Sequence, residues 1–253
     1  MEFWLPWRKT LAEDLVARIR QNWMAVNEKI QKAADRSGRS LKDIHLIVVT
    51  KSQPMEVVRS ALEAGISELG ENYAEEGVEK INALREFSGV KWHMIGHVQS
   101  RKADLVARYF NMLHSLDSLK LAGKLERSLS EVGKILPVLL EFNIGGEQSK
   151  SGWTADDQVG WPTLAEELKP LFNFTHLGIR GLMTMPPLGS SMEQSRKYFI
   201  HLRNLQSYLK TTFPKIKWNE LSMGTSWDYE IAVEEGATLV RVGQAILGSR
   251  LEM

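Results

Sequence analysis

Apolar residues near the amino end of the chain recur at helical spacing. Between Leu11 and about Ala34 they stand three or four positions apart, with charged residues between them, a pattern typical of an amphipathic helix. The periodic positions are Leu15, Ile19, Trp23, Val26 and Ile30. The segment "RSGRS" follows, and a glycine just past the last periodic residue is a helix stop signal. The sequence therefore predicts one long helix ahead of the rest of the chain.

After residue 40 short apolar runs alternate with helical periodicity. We predict eight strands, in the segments "IHLIVVT", "ISELG", "KWHMIG", "NMLHSL", "ILPVLLEFNI", "THLGIRGLMTM", "KWNELSM" and "ATLVRVG". Helices are expected from Pro54, about Asn72, about Ser100, Ser118 and about Thr154, then as a long helix through Tyr198 and Leu205 and a short one near Asp228. Eight alternating units favour a closed (β/α)₈ TIM barrel over an open sheet. Since no linker divides the chain, we expect a single domain over residues 1–253, with residues 1–40 as an N-terminal helical extension.

Composition and charge narrow the classes of function. The 253 residues include 32 Lys and Arg against 31 Asp and Glu, a net charge of +1, which gives no basis for a broad nucleic-acid surface. The chain has no cysteine, so disulfides, thiolate zinc sites and cysteine nucleophiles are excluded. The amino end shows neither a long apolar stretch nor a small-residue cleavage pattern. We therefore expect a cytoplasmic protein that binds neither nucleic acid nor a membrane.

Two loops of the predicted barrel carry groups that suit a phosphate. Active sites of such barrels lie at the carboxyl ends of the strands, and the loops after strands seven and eight often hold phosphate. The first of these loops, "LSMGTSWD", combines hydroxyls with a glycine and a helix start, and the second, "RVGQAILG", places Gly243 before another helix start. One such loop alone would be ordinary turn chemistry. Their joint position predicts a phosphate site.

A lysine ends the first predicted strand. Alternation along the strand places Ile47, Val49 and Lys51 on one face, so Lys51 is expected at the rim of the barrel interior. There, burial and a nearby cation such as Arg241 would lower the pKa of the lysine toward the neutral amine that forms a Schiff base. A surface lysine at a strand end is the alternative interpretation.

Arg241 lies within the last predicted strand, with Leu239 and Gly243 on its own face. A buried strand rarely carries a permanent cation without a partner. One candidate partner is a carboxylate, Glu71 or Glu141, in a structural ion pair. The other is the ring nitrogen of a bound pyridine, to which an arginine can donate a hydrogen bond without protonating it.

Other polar residues give weaker signals. His93 and His97 are four residues apart, but "WHMIGH" is expected to be a strand followed by a loop, so a helical metal pair is not predicted. His93 is expected either near a cofactor ring or as a satisfied interior histidine. The loop "GGEQSKSG" lacks the spacing of a nucleotide P-loop, and its Lys150 is either an anion contact or solvated. Met183 and Met185 are expected in the barrel core.

Seven blocks of the chain resemble, in the same order, those of the pyridoxal phosphate homeostasis protein family. They are "VVTKSQP", "LGENYAEE", "WHMIGHVQSRK", "HSLDS", "FNIGGEQSKSGW", "GLMTMPP" and "LSMGTSWDYEIAVEEGATLVRVGQAILGSR". The resemblance covers roughly residues 44–250, and several blocks in one order are far more specific than a single motif. It implies a barrel like that of the alanine racemases, standing alone, with pyridoxal 5'-phosphate as the cofactor.

The resemblance also implies roles for individual residues. Lys51 would form the internal aldimine, Arg241 would face the pyridine nitrogen, and Ser222, Gly243 and neighbouring amides would hold the phosphate. The complete implied set of cofactor-binding residues is Lys51, Asn72, Ser222, Thr225, Arg241, Gly243 and Gln244. The family's usual loop is closer to Ser-Met-Gly-Met-Ser followed by a small residue. Here Thr225 could add a hydroxyl to the phosphate, and Trp227 is a bulkier outer wall.

Three functions are compatible with these residues. The family implies a protein that holds pyridoxal phosphate as a lysine aldimine and buffers or delivers it. We expect a monomer, with the apo forms of pyridoxal-phosphate enzymes as candidate recipients. A racemase or decarboxylase would need a second acid or base on the opposite face of the cofactor. We expect none here, because only "AILGSRLEM" follows the last strand and its loop. A Schiff-base aldolase acting on a sugar phosphate would use Lys51 without a cofactor.

Overall fold

A computed structural model of the chain describes the backbone of residues 6–249 and the side chains of residues 13–249. Nine parallel strands form one sheet. They are β1 (His45–Val49), β2 (Glu68–Glu71), β3 (Lys91–Met94), β4 (Met112–Leu116), β5 (Leu136–Asn143), β6 (Trp153–Thr154), β7 (Leu177–Met183), β8 (Glu220–Thr225) and β9 (Leu239–Val242). Their order in the sheet is β4-β3-β2-β1-β9-β8-β7-β5-β6, and a further pairing of β4 with β5 closes the ring. All strands except the two-residue β6 form the eight-stranded barrel, which confirms the predicted fold.

Helices surround the barrel. They are α1 (Pro6–Arg36), α2 (Met55–Glu63), α3 (Ala74–Ala83), α4 (Ala103–Tyr109), α5 (Leu119–Val132), α6 (Trp161–Leu168), α7 (Met192–Thr212), α8 (Tyr229–Glu234) and α9 (Gln244–Leu247). None of the helices in the described part of the chain is long and apolar enough to cross a membrane. Residues 1–5 of the segment "MEFWLPW", for which the sequence suggests no function, lie outside the described residues.

Helix α1 packs against the barrel's outer helices. The predicted apolar stripe is confirmed, because Ile19, Val26 and Ile30 are buried. The helix contacts α2, α8 and α9. Asn22 Nδ2 donates to the Ile246 carbonyl oxygen at 3.1 Å, which ties α1 to α9. This helix therefore covers the side of the barrel where the first and last strands meet.

Two apolar layers form the core. The larger one lies between the sheet and the helices, and the smaller one fills the barrel with Ile47, Met112, Leu139, Met183 and Leu239. Met183 is thus in the barrel core as predicted. Met185 is 49% exposed, so its predicted core position is wrong, since the residue lies beyond the end of β7.

The segment around residue 154 also differs from the prediction. The helix expected from about Thr154 begins at Trp161, and β6 pairs instead with the end of β5, with Phe142 opposite Trp153. Gly152, at φ +101°, turns the chain so that the Trp153 ring packs 6.1 Å from the Phe142 ring. The aromatic contact and the turn override the helical periodicity of the following residues.

Candidate functional site

Lys51 follows the carboxyl end of β1. Ile47 on this strand lies in the inner core, and the strand ends at Val49. Lys51, two residues later, is partly buried and lies in a turn. The next residue, Ser52, has φ +55°, a left-handed backbone that non-glycine residues seldom adopt. Such strain persists only where the surroundings enforce it. The turn that presents Lys51 is therefore a constrained one.

A buried ion cluster fixes this turn. Lys80 on α3 is 3% exposed, and its Nζ donates to the Thr50 carbonyl oxygen at 2.6 Å, to Glu71 Oε1 at 2.8 Å and to Glu76 Oε1 at 2.6 Å. Glu76 Oε1 also accepts from the Ser52 amide at 2.7 Å. The sequence analysis missed Lys80, although the Glu76 and Lys80 spacing of four residues is a recognisable signal.

Asn72 directly follows the neighbouring strand β2 and lies at the same level as Lys51. Val49 pairs with Gly70, and Lys51 and Asn72 each follow two residues later. Asn72 is partly buried and lines a cavity of about 320 Å³ together with Met94 and His97. The sequence-predicted Lys51 and Asn72 are thus brought to one mouth of the barrel.

Arg241 lies deeper, inside the barrel. Its partner across the β1–β9 pair is Ile47, two residues before the end of β1. The side chain is 4% exposed, and its guanidinium donates to Ser222 Oγ and, at 3.0 Å, to the Thr184 carbonyl oxygen. Burial lowers the pKa of Arg241 to about 10, which leaves the group cationic at neutral pH.

Neither of the two carboxylates considered for Arg241 pairs with it. Glu71 binds Lys80 on the outer side of the barrel, and Glu141 forms no ion pair among residues 13–249. Burial raises the pKa of Glu141 to about 7, and the negative charge of Asp117 contributes to the same rise. Within the described side chains, Arg241 is therefore a buried cation with no ion-pair partner, which is costly unless a ligand compensates it.

Ser222 is placed beside Arg241 and not in the loop. Ser222 lies inside β8 and is completely buried, and the strand runs on to Thr225, two residues further than predicted. Its Oγ accepts from Arg241 and lies 2.8 Å from His114 Nδ1. This position, opposite Leu239 in the β8–β9 pair, is below the loop that was expected to hold a phosphate.

Thr225 is held by an aspartate within its own turn. The Thr225 amide and hydroxyl donate to Asp228 Oδ1 at 2.7 Å and 3.1 Å. Gly224, at φ +90°, precedes it, and a Cβ at this glycine would lie 2.5 Å from the Ala232 Cβ. The glycine is therefore required for the close packing of this turn on α8. Trp227 in the same turn is 83% exposed.

Gly243 joins the last loop to the first strand. A Cβ at this glycine would lie 2.9 Å from the Val49 carbonyl oxygen, so a larger residue would displace the end of β1. The Gly243 amide donates to Ser226 Oγ at 3.4 Å, which brings the two predicted phosphate loops together. Gln244 is exposed and begins α9, where the Ile246 and Leu247 amides donate to the Gly243 carbonyl oxygen at 2.9 Å. The amides of Gln244 and Ala245 precede these bonds at the helix start.

Comparisons with known proteins identify the family of this chain. The family model for the N-terminal domain of alanine racemase matches residues 17–251. Proteins named pyridoxal phosphate homeostasis protein in Vibrio alginolyticus and Escherichia coli are each 37% identical, over 93% and 92% of this chain and 99% and 97% of their own length. The chain belongs to the pyridoxal phosphate homeostasis protein family.

Two solved structures share the fold of this chain. PipY of Synechococcus elongatus, a structure described as having pyridoxal phosphate bound, is 32% identical with a TM-score of 0.75 over 87% of this chain and 100% of its own. Alanine racemase of Clostridium difficile is 16% identical with a TM-score of 0.66 over 91% of this chain and 56% of its own, which shows a shared fold.

Lys150 and His97, two other residues considered in the sequence analysis, lie at the same carboxyl-end mouth of the barrel. Lys150 Nζ donates to the Met185 and Pro186 carbonyl oxygens at 3.1 and 2.9 Å and pairs with Glu147, so it joins two loops. His97 Nδ1 lies 2.7 Å from Asp117 Oδ2. Among the described residues no three His, Asp or Glu side chains are grouped to hold a metal ion.

Proposed function

We propose that this chain binds pyridoxal 5'-phosphate at the carboxyl-end mouth of the barrel and buffers or delivers it in the cell. The observation that carries the proposal is that Arg241 is a buried cation with no ion-pair partner among the described residues. It lies on β9, which pairs with β1, the strand that leads to Lys51. A pyridine nitrogen accepts a hydrogen bond, and a phosphate supplies negative charge, so the donor set fits this cofactor. The names of the relatives support the same choice.

Lys51 is the proposed covalent residue. Pyridoxal phosphate supplies an aldehyde that condenses with a primary amine, with the loss of one water molecule. Lys51 Nζ would be the amine that holds the cofactor. The constrained turn at Ser52 and the Lys80 cluster keep this lysine at the mouth. Asn72, which directly follows β2 and is level with Lys51, would contact the cofactor from the end of the neighbouring strand.

The two loops after β8 and β9 are the proposed phosphate site. The Gly243 amide donates to Ser226 Oγ, which joins the two loops, and the Gln244 and Ala245 amides at the start of α9 are the candidate donors to the phosphate. Thr225 would reach a phosphate only by exchanging its bonds to Asp228. Ser222 would act through Arg241, because the arginine already donates to its hydroxyl.

We propose a carrier in preference to a racemase or decarboxylase. A guanidinium has no acceptor and keeps its proton near neutral pH, so Arg241 would leave the ring nitrogen unprotonated and the ring a weaker electron sink. Holo-protein incubated with L-alanine in deuterated water should show α-proton exchange no faster than free pyridoxal phosphate. Faster exchange that disappears in Lys51→Ala would make the chain an enzyme.

Cofactor binding is tested by titrating pyridoxal phosphate into the wild type and two variants. Lys51→Ala should lose the visible absorbance band of the lysine adduct, because the amine is gone. Lys150→Ala should keep it, since Lys150 lies at the same mouth but is bound to two carbonyl oxygens. A band of unchanged intensity in Lys51→Ala would contradict the proposal.

Delivery needs a separate measurement. The holo-protein should reactivate an apo aminotransferase, and the rate is compared with that of an equal concentration of free cofactor. Failure to reactivate would contradict delivery and leave buffering as the role. The cytoplasmic location, the monomeric state, the single-domain boundaries and the lack of nucleic-acid and membrane partners stay predictions.

A further inference from the structure

A line of hydrogen-bonded side chains crosses the barrel interior from Arg241 toward the amino ends of the strands. Arg241 donates to Ser222 Oγ, Ser222 Oγ lies 2.8 Å from His114 Nδ1, and His114 Nε2 lies 3.0 Å from His93 Nδ1. The four residues come from β9, β8, β4 and β3, and all are buried. Burial lowers the pKa of His93 to about 4 and that of His114 well below its usual value, so both rings are neutral at pH 7.

The direction of this line follows from the donor at its start. Arginine only donates, so the Ser222 hydroxyl proton is directed to its other neighbour, His114 Nδ1. His114 then carries its proton on Nε2 and donates to His93 Nδ1, which leaves the His93 proton on Nε2. The opposite direction would leave the Ser222 hydroxyl proton without an acceptor among the described residues. The network therefore assigns an N–H donor to His93 Nε2.

That donor belongs to a cavity at the opposite mouth from the proposed cofactor site. The cavity measures about 390 Å³ and is lined by the first residues of several strands, with His45, Glu68, Lys91, His93, Arg180 and Glu220 as its ionisable groups. His93 is 4% exposed, and its buried Nε2 has no hydrogen-bond partner among the described residues. A buried donor without a partner is costly, and an acceptor in the cavity that His93 lines would satisfy it.

The charges around the cavity define that occupant. Glu68 is already paired, with Lys91 Nζ at 2.8 Å and His45 Nδ1 at 3.2 Å, and Glu220 Oε2 accepts from the Thr238 hydroxyl at 2.6 Å. Arg180 is partly buried and forms no ion pair with any described carboxylate. The uncompensated groups are therefore one guanidinium and one imidazole N–H, both of which donate.

We propose that the amino-end mouth of the barrel binds a small hydroxy- or amino-carboxylic acid. Its carboxylate would accept from Arg180 in the bidentate manner that guanidinium favours and from His93 Nε2. Its hydroxyl or ammonium group would donate to Glu220 at the rim. A phosphate dianion is disfavoured, because Glu68 and Glu220 flank the cavity. The ion pairs of Glu68 are explained by stability, which is the usual role of residues on this face of a barrel. Stability does not explain the His93 Nε2 and Arg180 groups, which are unpaired among the described residues.

The test uses the full chain labelled with ¹⁵N-histidine, with L-lactate as the probe. Titration followed by NMR should show a saturable shift of the His93 ring nitrogens, whose signals are identified by their loss in His93→Asn. Propionate, which lacks the hydroxyl, and inorganic phosphate should both bind more weakly than lactate. Loading the protein with pyridoxal phosphate should leave the titration intact, because that cofactor is proposed at the other mouth.

Variants of arginine decide whether the site is the one described. Arg180→Gln should weaken lactate binding at least tenfold, Arg180→Lys should weaken it less because it keeps the charge, and Arg127→Gln, an exposed arginine on α5, should leave it unchanged. The backbone spectrum of each variant verifies its fold. Absence of a saturable shift at millimolar lactate, equal binding in Arg180→Gln, or tighter binding of phosphate than of lactate would overturn the proposal.

Discussion

Glu141 carries an unusual charge state for a residue on β5. Its Oε2 is buried without a hydrogen-bond partner among the described residues, and burial, followed by the charge of Asp117, raises its pKa to about 7. Between pH 4.5 and 7 the folded state therefore holds a proton that the unfolded state has released. Linkage requires that this residue's contribution to stability falls as the pH rises through that window.

Replacing the Glu141 carboxyl with an amide should remove this loss of stability at higher pH. We expect the free energy of unfolding of Glu141→Gln, relative to the wild type, to rise by about 2 kcal/mol between pH 5 and pH 8, measured by urea denaturation at both values. Glu131→Gln, an exposed glutamate on α5, serves as the control and should show no such gain. Parallel pH dependence of Glu141→Gln and the wild type would contradict the prediction.

Gly243 is a residue whose size matters more than its flexibility. A Cβ there would lie 2.9 Å from the Val49 carbonyl oxygen, between the phosphate loops and the strand that leads to Lys51. The wild type should bind pyridoxal phosphate far more tightly than pyridoxal. Gly243→Ala should reduce that preference at least tenfold in binding titrations. Gly160→Ala, where a Cβ meets nothing within 4 Å, is the matched control, and an unchanged preference in Gly243→Ala would be the contrary result.

At the scale of elements, helix α3 holds the turn of β1 through one buried amine. Lys80→Met would leave Glu71, which is completely buried, without its cation. Removing one partner of a buried pair costs about 3–5 kcal/mol, so the variant should be strongly destabilised and should bind pyridoxal phosphate more weakly. Calorimetric unfolding and cofactor titration measure the two effects.

A second substitution separates charge from packing in this cluster. In the single variant Lys80→Met, Glu71 stays buried as a negative charge without a cation. Adding Glu71→Gln removes that charge. The double variant should therefore recover a substantial part of the lost stability, although the turn around Ser52 stays less constrained. If the single variant is as stable as the wild type, the cluster does not hold the turn.

The sequence predicted elements wherever burial is set locally. The apolar stripe of α1 appears in the structure as expected, because one face of that helix meets the core. In β1 both faces are covered, with Ile47 in the inner core and Val48 in the outer one. The helix expected from about Thr154 was wrong, because a tertiary contact between Trp153 and Phe142 decides the conformation there. Strand β8 ends later than expected because its last residues pair with β9.

The candidate site could be predicted only in part. Lys51 and Arg241 stand out in the sequence because strands seldom carry cations toward a barrel interior. The bonds of Asp228 to Thr225 and of Lys80 to Thr50 involve side chains whose partners only the folded turns define. The position of Ser222 beside Arg241 likewise depends on the register of β8 against β9 and on His114 from β4.

At the scale of the whole molecule, the barrel has two chemically different mouths. The carboxyl-end mouth gathers Lys51, Asn72 and the loops that meet at Gly243 and Ser226. The amino-end mouth gathers ion pairs around Glu68, where hydrogen bonds from His45 and Lys91 outweigh the effect of burial and lower the pKa of the carboxyl to about 2. The interior between them is partly polar, and Arg241 lies on the side of the proposed cofactor site.

The central claim is that Lys51, among all lysines of the chain, holds the cofactor. Its most direct test is borohydride reduction of the protein loaded with pyridoxal phosphate, followed by proteolysis and mass spectrometry of the peptides. We predict that the reduced pyridoxyl group is found on the peptide that contains Lys51, at close to one group per chain. Modification of another lysine in its place, or of several lysines equally, would contradict the account.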